Sequence, residues 1–135
     1  MLVSGCGDGR ADPLGEWTVV SHRFPGISAM SEAEASAWHG RTIHFAPTHA
    51  SSGADTCRQP AYRHRTVPAD SFLSADFGIL RARLGPTDSI PSRLELTEIA
   101  CGGTEWTALG GRLLWLDQER AYSVWDGVFF ALRRK

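Results

Sequence analysis

The side chains in this sequence that could do chemistry are five histidines, several serines, a few neighbouring carboxylates and three cysteines. His22, His39, His44, His49 and His64 invite a metal reading, and His44 and His49 flank Pro47 in a way that could bring them together. None of their spacings matches a helical His pair or another recognised ligand set. Structural or solvated histidines are therefore the expectation, with no metal. Ser28, Ser36 and the Ser51-Ser52 pair lie in no Gly-x-Ser-x-Gly elbow, the turn that exposes a nucleophile above a sheet. Asp117, Glu119 and Asp126 are close in sequence, but turns collect aspartates for their own hydrogen bonds. The paired carboxylates of a glycosidase meet in space rather than in sequence, so that chemistry stays open. The expectation is a protein that is not an enzyme and uses no cofactor.

Binding is the alternative to catalysis. Trp38, Trp106, Trp115 and Trp125, with Tyr62, are candidates to line an apolar ligand site. The competing reading is that they fill a core, as large aromatics do in small barrels. Arg58, Arg63, Arg65, Arg81 and Arg83 cluster in sequence, and strand alternation places Arg63 and Arg65 opposite Tyr62 and His64. That is either a surface for an anionic partner or an ordinary solvated strand face. The net charge of −1 gives no basic field to gather phosphates, so nucleic acid is not an expected partner.

The cysteines carry the strongest signals. Cys6 follows Val3-Ser4-Gly5, and an apolar residue plus two small ones before a cysteine resembles the bacterial lipobox. In such signals the cysteine is acylated and becomes the first mature residue. Each acyl CH₂ contributes about 0.8 kcal/mol on burial, so two or three chains anchor a protein firmly. The resemblance implies lipidation at Cys6, with residues 1–13 as lipobox remnant and polar tether. It also implies the bacterial envelope, and Gly7 rather than Asp after the cysteine implies the outer membrane, facing the periplasm. Only five residues precede Cys6, fewer than the charged and apolar regions of a signal peptide need. The reading therefore expects a start upstream of Met1, and an unmodified Cys6 is the alternative. No apolar run approaches the roughly 20 residues that span a bilayer, so the membrane contact expected is the lipid alone.

Cys57 and Cys101 remain as a pair. An oxidising compartment favours joining them, which closes a loop of about 45 residues worth about 4 kcal/mol. Two buried free thiols or a metal site are the alternatives, and zinc is disfavoured without a Cys-x-x-Cys or a nearby His pair.

The elements that must position these residues are short. Fourteen glycines and seven prolines cut the chain into pieces that suit strands and turns. Residues 17–23 read as a strand ended by Pro25-Gly26. Ser31 and Glu34 match a capping box for a helix over 31–39, with Gly40 placed to end it. Strands follow at 41–45, 54–58 and 62–67, with a polar loop from Pro47 through Gly53. Phe72, Leu73 and Phe77 lie at helical spacing within 70–80. Pro86 and Pro91 bracket a loop, and Leu94, Leu96 and the run to Cys101 form a strand turned by Gly102-Gly103. Residues 113–116 and 122–125 are the next strands. Asp126-Gly127 is the strongest hairpin signal, because a type I′ turn needs positive φ at both positions. Seven or eight strands at this spacing, with one or two short helices, predict one antiparallel domain over residues 14–135.

Gly15-Glu16-Trp17 opening the first strand, with Arg133 and Arg134 after the last, resembles the lipocalin pattern. The resemblance implies a small barrel whose base is made by Gly15, Trp17 and Arg133, the arginine packing across the tryptophan ring. Residues 14–134 further resemble uncharacterised bacterial lipocalin-like lipoproteins, through Cys57-x-x-Pro60-x-Tyr62 and the Trp-Asp-Gly-Val-Phe-Phe of 125–130. The function expected is binding of a small apolar ligand or an envelope component by a monomer. A protein-interaction role, such as inhibition of a lysozyme-type hydrolase, is the second reading, and a structural envelope role the third.

Overall fold

Only one residue, Gln59, separates strand β4 (Asp55–Arg58) from strand β5 (Pro60–Pro68), yet these two strands are the opposite edges of one antiparallel sheet. The computed structural model that shows this describes residues 11–84 and 90–135. Cys6, most of the expected tether and Pro86 lie outside the described residues. The remaining strands are β1 (Gly15–Arg23), β2 (Thr42–Phe45), β3 (His49–Ser52), β6 (Arg93–Cys101), β7 (Thr104–Glu105), β8 (Arg112–Trp115), β9 (Arg120–Trp125) and β10 (Val128–Arg134). Their order is β4-β3-β2-β1-β10-β9-β8-β6-β5, with β7 paired to β6. A flat sheet in this order would hold β4 about 38 Å from β5, eight ladder spacings of about 4.8 Å. Two residues of chain reach about 7 Å. The sheet therefore curls into a half-barrel, and Gln59 turns the corner with φ of 59°.

The Cys57–Cys101 disulfide closes the same corner, with Cα atoms 5.7 Å apart. Cys101 lies opposite Pro60 in the β5–β6 ladder, so the bridge ties β4 to β6, the strand next to the far edge of the same sheet. The free-thiol and metal alternatives for this pair are set aside by the bond.

Alternation gives the sheet two buried faces. Trp17, Ile43, Phe45, Leu113, Trp115 and Phe130 point into the half-barrel. Leu94, Leu96, Leu114, Tyr122 and Phe129 point outward. Helix α2 (Ala69–Phe77) covers that outer face with Ala69, Phe72 and Leu73. It ends on Gly78 at φ of 66°, and the Ile79 N–H donates to the Leu73 carbonyl, which turns Ile79 back onto the same cluster. Helix α1 (Glu32–Ser36) carries the capping box expected of Ser31 and Glu34, but stops short of residue 39. No helix among the described residues is long and apolar enough to cross a membrane.

The mainly β architecture matches the expectation, with ten strands among the described residues rather than seven or eight. The additions are β3, where a polar loop was expected, and the two-residue β7. His-Ala-Ser-Ser has little intrinsic strand preference, and β3 forms because it is held between β2 and β4. The Asp126-Gly127 hairpin is as expected, with φ of 53° and 79°.

Reducing the bridge, or replacing Cys57 and Cys101 together by Ala, should lower the unfolding free energy by about 4 kcal/mol. Denaturant titration with and without reductant measures this. An unchanged midpoint would mean that Gln59 alone suffices to hold the corner.

Candidate functional site

At the base of the half-barrel Trp17 is completely buried and its indole N–H donates to the Pro13 carbonyl at 2.9 Å. The arginine lying over its ring, 4.4 Å from the centroid, is Arg134. This corrects the expectation of Arg133 by one residue. Arg134 pairs with Trp17 in the β1–β10 register, whereas Arg133 pairs with Thr18 and is exposed. Arg134 also donates to the carbonyls of Asp12, Leu14 and Gln118. Ala11 and Pro13 are buried there, so residues expected to be tether belong to the folded base. Gly15, at φ of 125°, completes that base with its Cα facing the Arg134 guanidinium.

Above the base the interior is occupied by the chain's own side chains. Trp115 meets Trp17 edge to face at 5.4 Å, although their strands are three ladders apart. Its indole N–H donates to the buried Thr97 hydroxyl, which also meets His64 Nδ1. The loop at residues 106–111 folds inward as a plug. Leu109 is buried, the Gly110 N–H donates to Ser123 Oγ, and a Cβ on Gly110 would lie 3.0 Å from Ile43. Gly111 has no room for a Cβ at all, because it would overlap the Trp106 carbonyl. Of the five aromatic residues expected to line a ligand site, Trp106 and Trp125 border one cavity, and Trp38, Trp115 and Tyr62 do not join them there. Trp115 is in the packed interior, Trp38 and Trp125 meet edge to face at 5.1 Å, and Trp106 is buried in the plug. Tyr62 bridges the seam, donating to the Ala46 carbonyl at 2.7 Å and packing on Phe45.

Unfilled space lies against the outer cluster of the sheet. A cavity of about 390 Å³ is bounded by Pro25 and Ile27 on one side, Phe77 and Ile79 on another, and Val124 and Phe129 as floor. A second of about 210 Å³ adds Trp106 and Trp125. The two share Phe77, Val124 and Asp126, and so form one groove. Its outer wall is pinned. Ser28 Oγ donates to the Asp126 carbonyl at 2.7 Å and accepts from the Met30 N–H, while Gly127 lies so close to the Ile27 carbonyl that a Cβ would clash. Ile27, on this wall, is 100 % exposed; Leu80, which follows Ile79 in sequence and lines neither cavity, is 72 % exposed.

The polar rim is acidic. Asp76, Glu105 and Asp126 line the groove with one guanidinium, Arg112. Arg112 lies 3.4 Å from Asp76, 3.8 Å from Glu105 and 3.2 Å from Glu98, the last an ion-pair contact without the alignment of a hydrogen bond. Among the described residues the Asp126 carboxylate has no partner.

Four of the five histidines form two pairs. His22 Nε2 meets Glu32 at 2.5 Å and its Nδ1 meets His39 at 2.8 Å, which ties α1 and its following turn to β1. His44 and His49 do come together, ring centroids 5.5 Å apart, beside Glu16. The described residues contain no group of three or more His, Cys, Asp or Glu placed to hold a metal ion. Of the arginine cluster, Arg65 pairs with Glu98 on the face opposite Tyr62 and His64, and Arg81 pairs with Asp70. Asp117 is spent on its own turn, accepting from the Glu119 N–H and Arg120, and these bonds hold its carboxyl below the usual range despite some burial.

Comparison of the chain with protein-family models, with curated proteins and with solved structures finds no match.

The groove was not legible as a site. Its parts are a Pro-Gly-Ile loop, the end of a helix and a hairpin turn, which meet only through the fold. The available signal was Ile27, an apolar residue beside a chain break where nothing in the periodicity buries it.

Burial pushes the Tyr62 phenol up to about 12, with the Asp12 carboxylate adding to the rise. The neutral phenol is favoured by folding, so this contribution is full below pH 10 and is lost as pH climbs from about 10 to about 12. Tyr62→Phe should cost about 1 kcal/mol at neutral pH through the lost seam hydrogen bond, and should flatten the alkaline fall. Denaturation at pH 8 and pH 11 tests both, and a parallel fall in the two proteins at pH 11 would remove Tyr62 as its source.

Proposed function

We propose that this protein is a non-enzymatic recognition module of the bacterial cell envelope, anchored by lipid at Cys6 on the periplasmic side of the outer membrane. It binds another envelope component on the outside of the half-barrel, at the groove walled by residues 24–30. The observation that carries this reading is a contrast in burial. The interior is packed with Trp17, Phe45, Trp115, Phe130 and the Leu109 plug, while Ile27 is held out beside an unfilled groove with an apolar floor.

The small apolar ligand of the first expectation is less well served by the interior, where Trp17, Phe45, Trp115 and Phe130 pack together. A partner protein suits the groove better, because protein interfaces centre on apolar anchors seated in pockets and ringed by polar residues. A hydrolase is one such partner. The disulfide supports an oxidising compartment, since such bonds persist outside the reducing cytosol.

A photo-reactive amino acid placed at Ile27 should cross-link an envelope protein in cells, and the same residue at Val20, exposed elsewhere on the surface, should not. Equal labelling from both positions, or from neither, would sink the groove as the contact. For the anchor, Cys6→Ser should move the protein from the membrane to the soluble fraction; unchanged fractionation would refute lipidation.

A further inference from the structure

The groove has a charge pattern as well as a shape. Three carboxylates, Asp76, Glu105 and Asp126, line it against the single guanidinium of Arg112, an excess of two negative charges. Arg112 is already shared with Glu98, behind the groove, so it neutralises the rim only in part. Asp126 stands at the junction of the two cavities with an exposed carboxylate and no partner among the described residues. It is fixed in place, because its backbone is locked in the left-handed region by the hairpin and its carbonyl is held by Ser28. Between the carboxylates the walls are apolar: Ile27, Phe77, Ile79 and Val124.

We infer that the occupant of the groove is a segment of another protein carrying an arginine or lysine between apolar residues. The aliphatic stem of such a side chain packs on Phe77 and Val124 while its charged end reaches Asp126. The flanking apolar residues cover Ile27 and the apolar floor beside it. A neutral or acidic segment would leave the Asp126 carboxylate facing apolar surface without a partner, and an acidic one would add repulsion. This inference rests on the groove reading above and specifies the chemistry of its partner.

Three blocked pentapeptides serve as probes: Ser-Leu-Arg-Leu-Ser, and the same sequence with Gln or Glu in place of Arg. Binding to the full chain is followed by amide NMR shifts. The Arg peptide should shift residues 27, 77 and 124–127 and weaken with added salt. The Gln peptide should bind about tenfold more weakly, and Asp126→Asn should bring the Arg peptide to that level. Ile27→Ser should weaken all binding without unfolding the protein, since that side chain is fully exposed. Equal binding of the three peptides overturns the charge inference and leaves the groove reading standing. No binding by any of them, with the Ile27 cross-link intact, also overturns the inference alone, whereas loss of the cross-link as well overturns both. Self-association of the chain that Ile27→Ser abolishes would identify a second copy as the occupant and overturn the cationic partner.

Discussion

The structure depends on one constraint of chain geometry: the first and last strands across the sheet are consecutive in sequence, joined through Gln59. No flat or gently twisted sheet satisfies it, because the edges would stand several strand widths further apart than the chain can reach. Closure is therefore imposed by topology, and the disulfide, the Tyr62 bond to Ala46 and the Tyr62–Phe45 contact hold the seam once it has formed. The two edges are not laddered to each other, so side chains and one covalent bond do at the seam what backbone hydrogen bonds do elsewhere. An edge strand left long and apolar invites pairing with other chains. Here β4 is short, and β5 carries prolines at both ends with Arg63 and Arg65 between them.

Curling a sheet of this size leaves little room inside. Strands from opposite walls come within one aromatic ring of each other, as Trp17 and Trp115 show. What room the short strands leave is taken by the plug at 106–111, and its two glycines exist there for contact reasons as much as for turning. The outer face of β6, β8, β9 and β10 is as apolar as the inner one and must be covered. Helix α2 covers most of it and stops at Gly78, short of the β9–β10 turn. The groove is the uncovered remainder of that face, with Phe129 and Val124 as its floor. Filled interior and open groove are thus two results of the same packing problem.

Much of this could be read from residue order. The capping box at Ser31, the Asp126-Gly127 turn and the pairing of Cys57 with Cys101 are local or compositional signals, and the structure contains all three. The arginine at the base was misplaced by one position because two adjacent arginines are indistinguishable without register, and the register against Trp17 selects Arg134. Strand β3 was invisible because its residues are strand-neutral and its neighbours decide it. The tryptophans showed that a core exists, but not that it would be full, since side-chain volume against strand curvature is a property of the closed sheet. The groove was least legible of all, being assembled from three segments far apart in sequence.

A single exposed isoleucine would mean little, because folded surfaces are more than half apolar and scattered side chains need no explanation. The groove differs from that background in two ways. First, Ile27 lines the same cavity as Ile79, Phe77 and Val124, so this exposed apolar residue borders the apolar floor. Second, the loop that displays Ile27 is held by Ser28 and by the close approach of Gly127, so the side chain cannot collapse into the cavity beside it. A loop free to relax would bury that surface and fill part of the space, at about 25 cal/mol per Å² in its favour. The fold instead keeps both the surface and the space, and that unspent burial is available to whatever the groove receives.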